Sequence, residues 1–159
     1  MHKVRRVGFI AVRPQPRAQS PVRHVRTLAK PRAFKAPAPP NHNTIVVGMR
    51  AFFSLASKWG LTPDEERTLL GLPGRSTYFN WKRGEVGEVA HGLDLATRIS
   101  HLLGIFRGLE TIYEDPNLAD AWVRRPNEAF NGQSALERML AGQVTDLADV
   151  RYYIDSVIS

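Results

Sequence analysis

The chain has 159 residues, no cysteine and a formal net charge of +7. This length predicts one folded domain, or one domain with a tail, and the lack of cysteine excludes a disulfide scaffold, a thiolate zinc site and a cysteine nucleophile. No apolar run reaches the roughly 18 residues that a membrane-spanning helix needs, so we expect a soluble protein of the cytoplasm.

The positive charge lies in the first part of the chain. Residues 1–43 hold ten Lys/Arg and no acidic residue, whereas the remaining 116 residues hold 12 Lys/Arg and 15 Asp/Glu, a net charge of −3. Because seven of the eleven prolines also precede residue 41, this segment is predicted to be a disordered tail. It fits a flexible arm that neutralises nucleic-acid phosphates; an extension without function and an organellar transit peptide are the open alternatives.

Apolar residues recur with helical spacing from Thr44 onward, and no stretch alternates with the period of a strand. The first stripe consists of Ile45, Met49, Phe52, Phe53, Ala56 and Trp59. Gly60 follows in the position of a left-handed helix cap. The spacing therefore predicts a first helix that ends at Trp59.

Two short helices are predicted next. Thr62-Pro63-Asp64-Glu65 has the pattern of a capping box, and the helix that it opens ends near Gly71. A third helix runs from about Ser76 to Arg83. The pair has the length of a helix–turn–helix, with Tyr78 and Trp81 expected to anchor the third helix to the core.

The outward face of this third helix is a candidate DNA-reading surface. Its polar side chains are Arg75, Ser76, Thr77, Asn80, Lys82 and Arg83. Their hydrogen-bonding ends suit base edges and phosphates. An ordinary helical hairpin with a solvated face is the alternative, and an exposed Phe79 would favour a protein contact instead.

The longest helix is predicted over residues 92–114. Its inward face is assigned to Leu95, Ile99, Leu102, Leu103, Phe106, Leu109 and Tyr113. Arg98, Arg107 and Glu110 are assigned to the opposite, solvated face.

Three more helices complete the chain. Asp115-Pro116 predicts the start of a helix that carries Leu118 and Trp122, and a short one follows over residues 134–141. Thr145 or Asp146 is expected to cap the last helix. Its inward residues are Leu147, Val150, Tyr153, Ile154 and Val157. The prediction is an all-α domain of about seven helices.

Sequence motifs of common catalytic sites are missing. The chain has no HExxH, GxxxxGK[ST], GxSxG or GxGxxG, and the helical part holds only two histidines, His91 and His101. His101 is expected to be a surface or partly packed residue. We therefore predict no enzyme, no metal site and no bound cofactor.

The last third carries the most specific pattern. From Trp122 to Gly142 the sequence reads W-x-x-x-P-N-x-x-F-x-G-x-S-x-L-x-x-M-L-x-G, and V-x-x-Y-I follows from Val150. This pattern resembles the toxin-binding domain of the Xre/MbcA/ParS-type antitoxins, and the helix–turn–helix region before it resembles the family's Xre-like half. Ala135 stands where the family often carries proline. The resemblance divides the chain into a tail (1–43), an Xre-like helix–turn–helix region (44–90) and a helical toxin-binding and dimerisation domain (91–159).

The resemblance implies a type II antitoxin that forms a homodimer and represses its own operon by binding operator DNA. Its partner would be a RES-domain toxin, which degrades NAD⁺ or transfers ADP-ribose from it, and the C-terminal region would cover the toxin's active site. The candidate toxin-binding residues are Asn127, Phe130, Gly132, Ser134, Arg151, Tyr152 and Asp155.

Several alternatives remain at this level. Phe130 fits a plug of the chain's own core as well as a toxin contact. Arg151, Tyr152 and Asp155 fit a merely solvated helix face. For the whole chain, the alternatives are a stand-alone helix–turn–helix transcriptional regulator and a nucleic-acid-packing protein driven by the basic tail.

Overall fold

A computed structural model of the protein describes residues 40–87 and 92–159. Within these residues the chain forms helices and a single isolated bridge between Pro126 and Ser134. The α-helices are α1 (His42–Lys58), α2 (Pro63–Leu69), α3 (Arg75–Lys82), α4 (Leu93–Ile112), α5 (Pro116–Trp122), α6 (Ala135–Met139) and α7 (Val144–Ile158), with a 3-10 turn at Glu128–Phe130. The all-α prediction is confirmed.

The first helix begins slightly earlier than its apolar spacing predicted. The Asn41 side chain caps α1 by accepting a hydrogen bond of 2.9 Å from the Thr44 backbone N–H. Residues 41–43 therefore belong to the helix and its cap, and not to the predicted tail. The rest of that tail, up to residue 39, lies outside the described residues, as does His91.

Most helix boundaries follow the local sequence signals. Thr62 and Glu65 form the predicted capping box of α2, and the Asp115 side chain caps α5. The expected cap of α7, Thr145 or Asp146, is wrong by two or three residues. Gln143 occupies the cap position, and Asp146 is the third helical residue, whose carboxylate accepts from the Gln143 backbone N–H. Short-range hydrogen bonding of this kind needs no tertiary contact.

The central helix, α4, packs against α1, α5 and α7, and most extensively against α7. It is therefore buried on more sides than a surface helix with one apolar stripe. Arg98 and Ile105 are both buried, so the assignment of Arg98 to the solvated face is wrong. Arg98 instead donates to the Asp94 carboxylate (2.7 Å) and to the Gly142 carbonyl (3.0 Å).

Small residues let α7 approach α4 closely. A Cβ built on Gly108 would overlap the Ile154 side chain, which is itself buried. Val157, assigned to the inward face of the last helix, is exposed instead, and Leu118 is exposed as well. Ala119 is the buried residue of α5, and Val157 lies in the last turn of α7.

Candidate functional site

The third helix, α3, is anchored to the core by the two residues that the sequence predicted. Tyr78 and Trp81 are buried on its inner side, while Arg75, Ser76 and Thr77 are exposed. The outer face is therefore available to a ligand. The positive φ of Gly84 (86°) ends the helix directly after its C-cap at Arg83.

Lys82 has an intramolecular partner that sequence reasoning missed. Its ammonium lies 3.0 Å from the buried Glu66 carboxylate of α2, and the Tyr78 hydroxyl donates to the same carboxylate. Burial and the Glu66 hydrogen bond raise the pKa of Tyr78. Burial opposes the charge of Lys82, but hydrogen bonds to Tyr78 and Glu66 raise its pKa overall. The group fixes α3 against α2, and Glu66 balances the Lys82 charge.

The other polar residues of α3 differ in whether they have hydrogen-bond or ion-pair partners within the chain. Arg83 donates to the Asn80 side-chain oxygen (2.5 Å) and pairs with Glu85 at 3.5 Å. Arg75 makes no hydrogen bond or ion pair to a described residue and carries the least compensated charge of the helix. Phe79 is 46 % exposed on the same surface, as its register predicted.

The loop between α5 and α6 is rigidly built. The Asn127 side chain accepts a hydrogen bond from the Ala129 backbone N–H (2.9 Å), and the Asn127 backbone N–H donates to the Gln133 carbonyl (3.0 Å). Asn131 and Gly132 both adopt positive φ, 56° and 81°, which turns the chain back after the 3-10 turn. Asn127 is thus a structural residue of the loop, and Gly132 lies exposed at its tip.

Phe130 is a core residue and not an exposed contact. It is 7 % exposed, and its ring meets Tyr153 at 5.3 Å and Trp122 at 6.5 Å between centroids. Ser134 is also buried, where it caps α6 in a capping box with Glu137. Both side chains therefore have packing or capping roles within the chain, and a direct toxin contact by either of them stays a prediction. The start of α6 at Ala135 is fully capped despite the missing proline.

The candidate residues of α7 separate in the same way. Tyr152 is 67 % exposed, whereas Arg151 and Asp155 pair with each other at 2.8 Å. Arg151 lies against Gly104 of α4 and is only partly exposed, so it does not lie on a fully solvated helix face. The reason is the close approach of α7 to α4, which a single-helix projection does not contain.

A groove of about 420 Å³ joins the loop to α7. It is lined by Ala129, Phe130, Asn131, Gln133, Arg138, Asp149, Tyr152 and Tyr153. Sequence reasoning missed Arg138 and Asp149, which pair at 2.5 Å across the groove wall. Their separation along the chain gave no signal, because α6 and α7 are brought together only by folding.

Nothing in the described part of the chain resembles a metal centre, since no three His, Cys, Asp or Glu side chains there are grouped to hold an ion. Among the same residues no helix is long and apolar enough to cross a membrane. The site thus consists of two protein surfaces: the outer face of α3, and the groove beside Tyr152.

Comparison with known proteins matches two antitoxin domains to consecutive segments of the chain. The family model of the antitoxin Xre/MbcA/ParS C-terminal toxin-binding domain matches residues 108–157, and that of the antitoxin Xre-like helix-turn-helix domain matches residues 47–104. The chain belongs to the Xre/MbcA/ParS antitoxin family. Its members' domains are regulatory binding modules, and neither matched description names a catalytic activity.

The chain is also similar to a bacterial relative over most of that relative's length. The uncharacterized protein y4oB of Sinorhizobium fredii (strain NBRC 101917 / NGR234) is 44% identical over 108 residues, which cover 68% of this chain and 81% of the relative. No solved structure matches the chain with significance.

The two matched segments of the antitoxin are tied together by Arg124. Its guanidinium donates to the carbonyls of Trp59 (3.3 Å) and Gly60 (2.8 Å) at the end of α1, and pairs with Glu65 at 3.0 Å. Burial opposes the charge of Glu65, yet the bonds from Arg124 and Thr62 keep its pKa below the ordinary value. The helix–turn–helix half and the toxin-binding half thus share a polar contact as well as α4.

Proposed function

We propose that this antitoxin neutralises a RES-domain toxin of the NAD-consuming, ADP-ribosyltransferase-like class by covering the toxin's active site. The supporting observation is the groove beside Tyr152, which lies within the matched toxin-binding segment. The loop that carries the exposed Gly132 contributes Ala129, Asn131 and Gln133 to this groove, and the exposed ring of Tyr152 lines it from α7. Aromatic side chains of this kind commonly dominate protein–protein interfaces.

The antitoxin is proposed to act in the cytoplasm, as a homodimer whose residues 91–159 bind the toxin. Tyr152 supplies the apolar contact area, while Arg138 and Asp149 supply polar contacts at the groove wall. Arg138 is already paired with Asp146 (3.2 Å) and Asp149, so its donors are oriented before a partner arrives. Such preorganisation lowers the entropy cost of binding.

Replacing Tyr152 by alanine tests the toxin-binding proposal. We expect toxin affinity to fall by about 2 kcal/mol or more, the loss typical of a central aromatic residue, with an unchanged melting temperature because the side chain is exposed. The measurement is growth rescue and pull-down on co-expression with the RES-domain product of a neighbouring gene. Replacing the exposed Leu118 by alanine is the matched control.

A wild-type chain that neither binds nor protects against that product favours the alternative, a stand-alone helix–turn–helix regulator. Full protection by the Tyr152→Ala chain would instead show that toxin contact lies elsewhere on the antitoxin.

The helix–turn–helix region, residues 44–90, is proposed to bind operator DNA and repress the antitoxin's own operon. The exposed Arg75, Ser76 and Thr77, together with Asn80, present donors and acceptors along one side of α3. Because Glu66 balances the charge of Lys82, we propose that Lys82 holds α3 in place close to the DNA phosphates. Arg83 is proposed to contact a phosphate directly. The basic residues of the segment 1–43 would add salt-dependent affinity.

Changing Arg75 and Asn80 together to alanine tests the DNA-binding proposal. Each lost base contact is expected to lower operator affinity by about 1–3 kcal/mol, while toxin neutralisation stays intact because α3 and the groove are separate surfaces. Gel-shift titration on the upstream region of the operon gives the affinity. Unchanged repression in this double variant would remove α3 from the role of recognition helix.

A further inference from the structure

A second groove, of about 570 Å³, lies between α4 and α7 and shares no residue with the groove beside Tyr152. Its charged residues are Arg107, Arg151 and Asp155, and hydroxyl groups and apolar side chains complete the lining. Two cations face one carboxylate, so the groove keeps a surplus of one positive charge. Neither the toxin-covering edge nor the helix–turn–helix uses it.

Arg151 lines this groove and is held there by an ion pair. Its Nε donates to the Asp155 carboxylate at 2.8 Å, and its guanidinium occupies the space that a side chain at position 104 would fill, since a Cβ built on Gly104 would overlap it. The remaining N–H groups of Arg151 meet no acceptor among the described residues. An arginine with a fixed plane and unused donors is well suited to a carboxylate.

Arg107 supplies the second positive charge. It is exposed on the same helix as Gly104, and its side chain donates to no described residue. His101, on the next turn of α4, adds no charge at neutral pH, because burial and the nearby Arg151 lower its pKa. The surplus charge of the groove therefore rests on the two arginines.

We infer that the groove between α4 and α7 is a second toxin-contact site, which receives an aspartate or glutamate side chain of the toxin. This inference rests on the proposed antitoxin function. A single carboxylate matches the surplus of one charge, whereas a phosphate dianion would exceed it. Leu103 and Ile158 line the same groove and would cover the aliphatic part of the entering side chain.

Three variants of the full chain test this inference, with the RES-domain product of the neighbouring gene as the probe. Arg107→Glu reverses the exposed charge. Gly104→Ala displaces the Arg151 guanidinium without removing it, and stability is kept because that group is the end of a flexible side chain and alanine favours the helix. Arg50→Glu is the matched control, since Arg50 is exposed on α1 outside the groove.

We expect Arg107→Glu and Gly104→Ala each to weaken toxin binding by about tenfold or more, measured by calorimetry or surface binding, with melting temperatures at or above the wild-type value. Arg50→Glu is expected to bind within about twofold of wild type. Equal binding by all three variants and the wild-type chain would overturn the second contact site alone. Failure of the wild-type chain to bind the toxin at all would overturn the antitoxin proposal and this site with it.

Discussion

Replacing Phe130 by alanine is expected to lower the free energy of unfolding by about 3–5 kcal/mol, the usual cost of deleting a buried aromatic ring. The ring packs in edge geometry against both Trp122 and Tyr153, and those two rings are stacked on each other with centroids 6.1 Å apart. Its removal leaves a cavity beneath the 3-10 turn, so the loop loses its anchor. Toxin neutralisation is lost as a consequence.

Thermal denaturation followed by circular dichroism measures this effect, as a fall of roughly 10 °C or more in the melting temperature. Phe130→Leu is the matched control and is expected to lose clearly less, because it keeps most of the apolar volume. A Phe130→Ala chain with the wild-type melting temperature but no neutralisation would reverse the assignment. Phe130 would then be the toxin contact that the sequence pattern also allowed.

Replacing Lys82 by alanine is expected to cost about 1–3 kcal/mol of folding stability. The change leaves the buried Glu66 carboxylate without its cation, which for a fully buried pair costs about 3–5 kcal/mol. The lower figure applies because the Lys82 side chain is 43% exposed and solvent screens its charge. Operator affinity is expected to fall as well, since α3 is no longer fixed against α2.

The double variant Lys82→Ala, Glu66→Gln completes a mutant cycle. It should recover part of the lost stability, because a neutral amide is less costly to bury than an unpaired carboxylate. Lys58→Ala is the matched control: Lys58 pairs with Glu110 at 3.9 Å and both side chains are half exposed, so its loss should cost at most about 1 kcal/mol. Recovery that fails to appear in the double variant would show that Lys82 acts by packing and not by charge.

The pH dependence of this contribution has a definite sign. The pKa of Lys82 is raised in the folded chain, so the stability it adds is fully present below the ordinary lysine pKa of about 10.4. That stability is lost only as the pH rises through the raised value. At neutral pH Lys82 therefore contributes this stability in full.

Much of the fold follows from short stretches of sequence. The capping box at Thr62, the cap at Asp115 and the anchors Tyr78 and Trp81 all depend on residues within a turn or two, and the structure has them as predicted. The toxin-binding pattern was also readable, because its residues are contiguous from Trp122 to Gly142. These features depend on local backbone hydrogen bonds and on the helical period.

The sequence did not predict which of the candidate site residues are exposed to a partner. The sequence could not show that Phe130 packs against Tyr153, or that Arg151 lies against Gly104 and lines the groove between α4 and α7. Arg98 has the charge of a surface residue, yet the packing of α4 on three sides buries it. A helical-wheel projection shows which residues of one helix share a face, but it does not show which other helices pack against that face.

The sequence by itself thus determined the helices, their caps and the family pattern, since these depend on contacts between residues close along the chain. Only the tertiary structure decided which of the candidate side chains a partner can reach. The approach of α7 to α4 and the folding of the loop over Tyr153 join residues distant in sequence, and burial there removes a side chain from the surface whatever its chemical type.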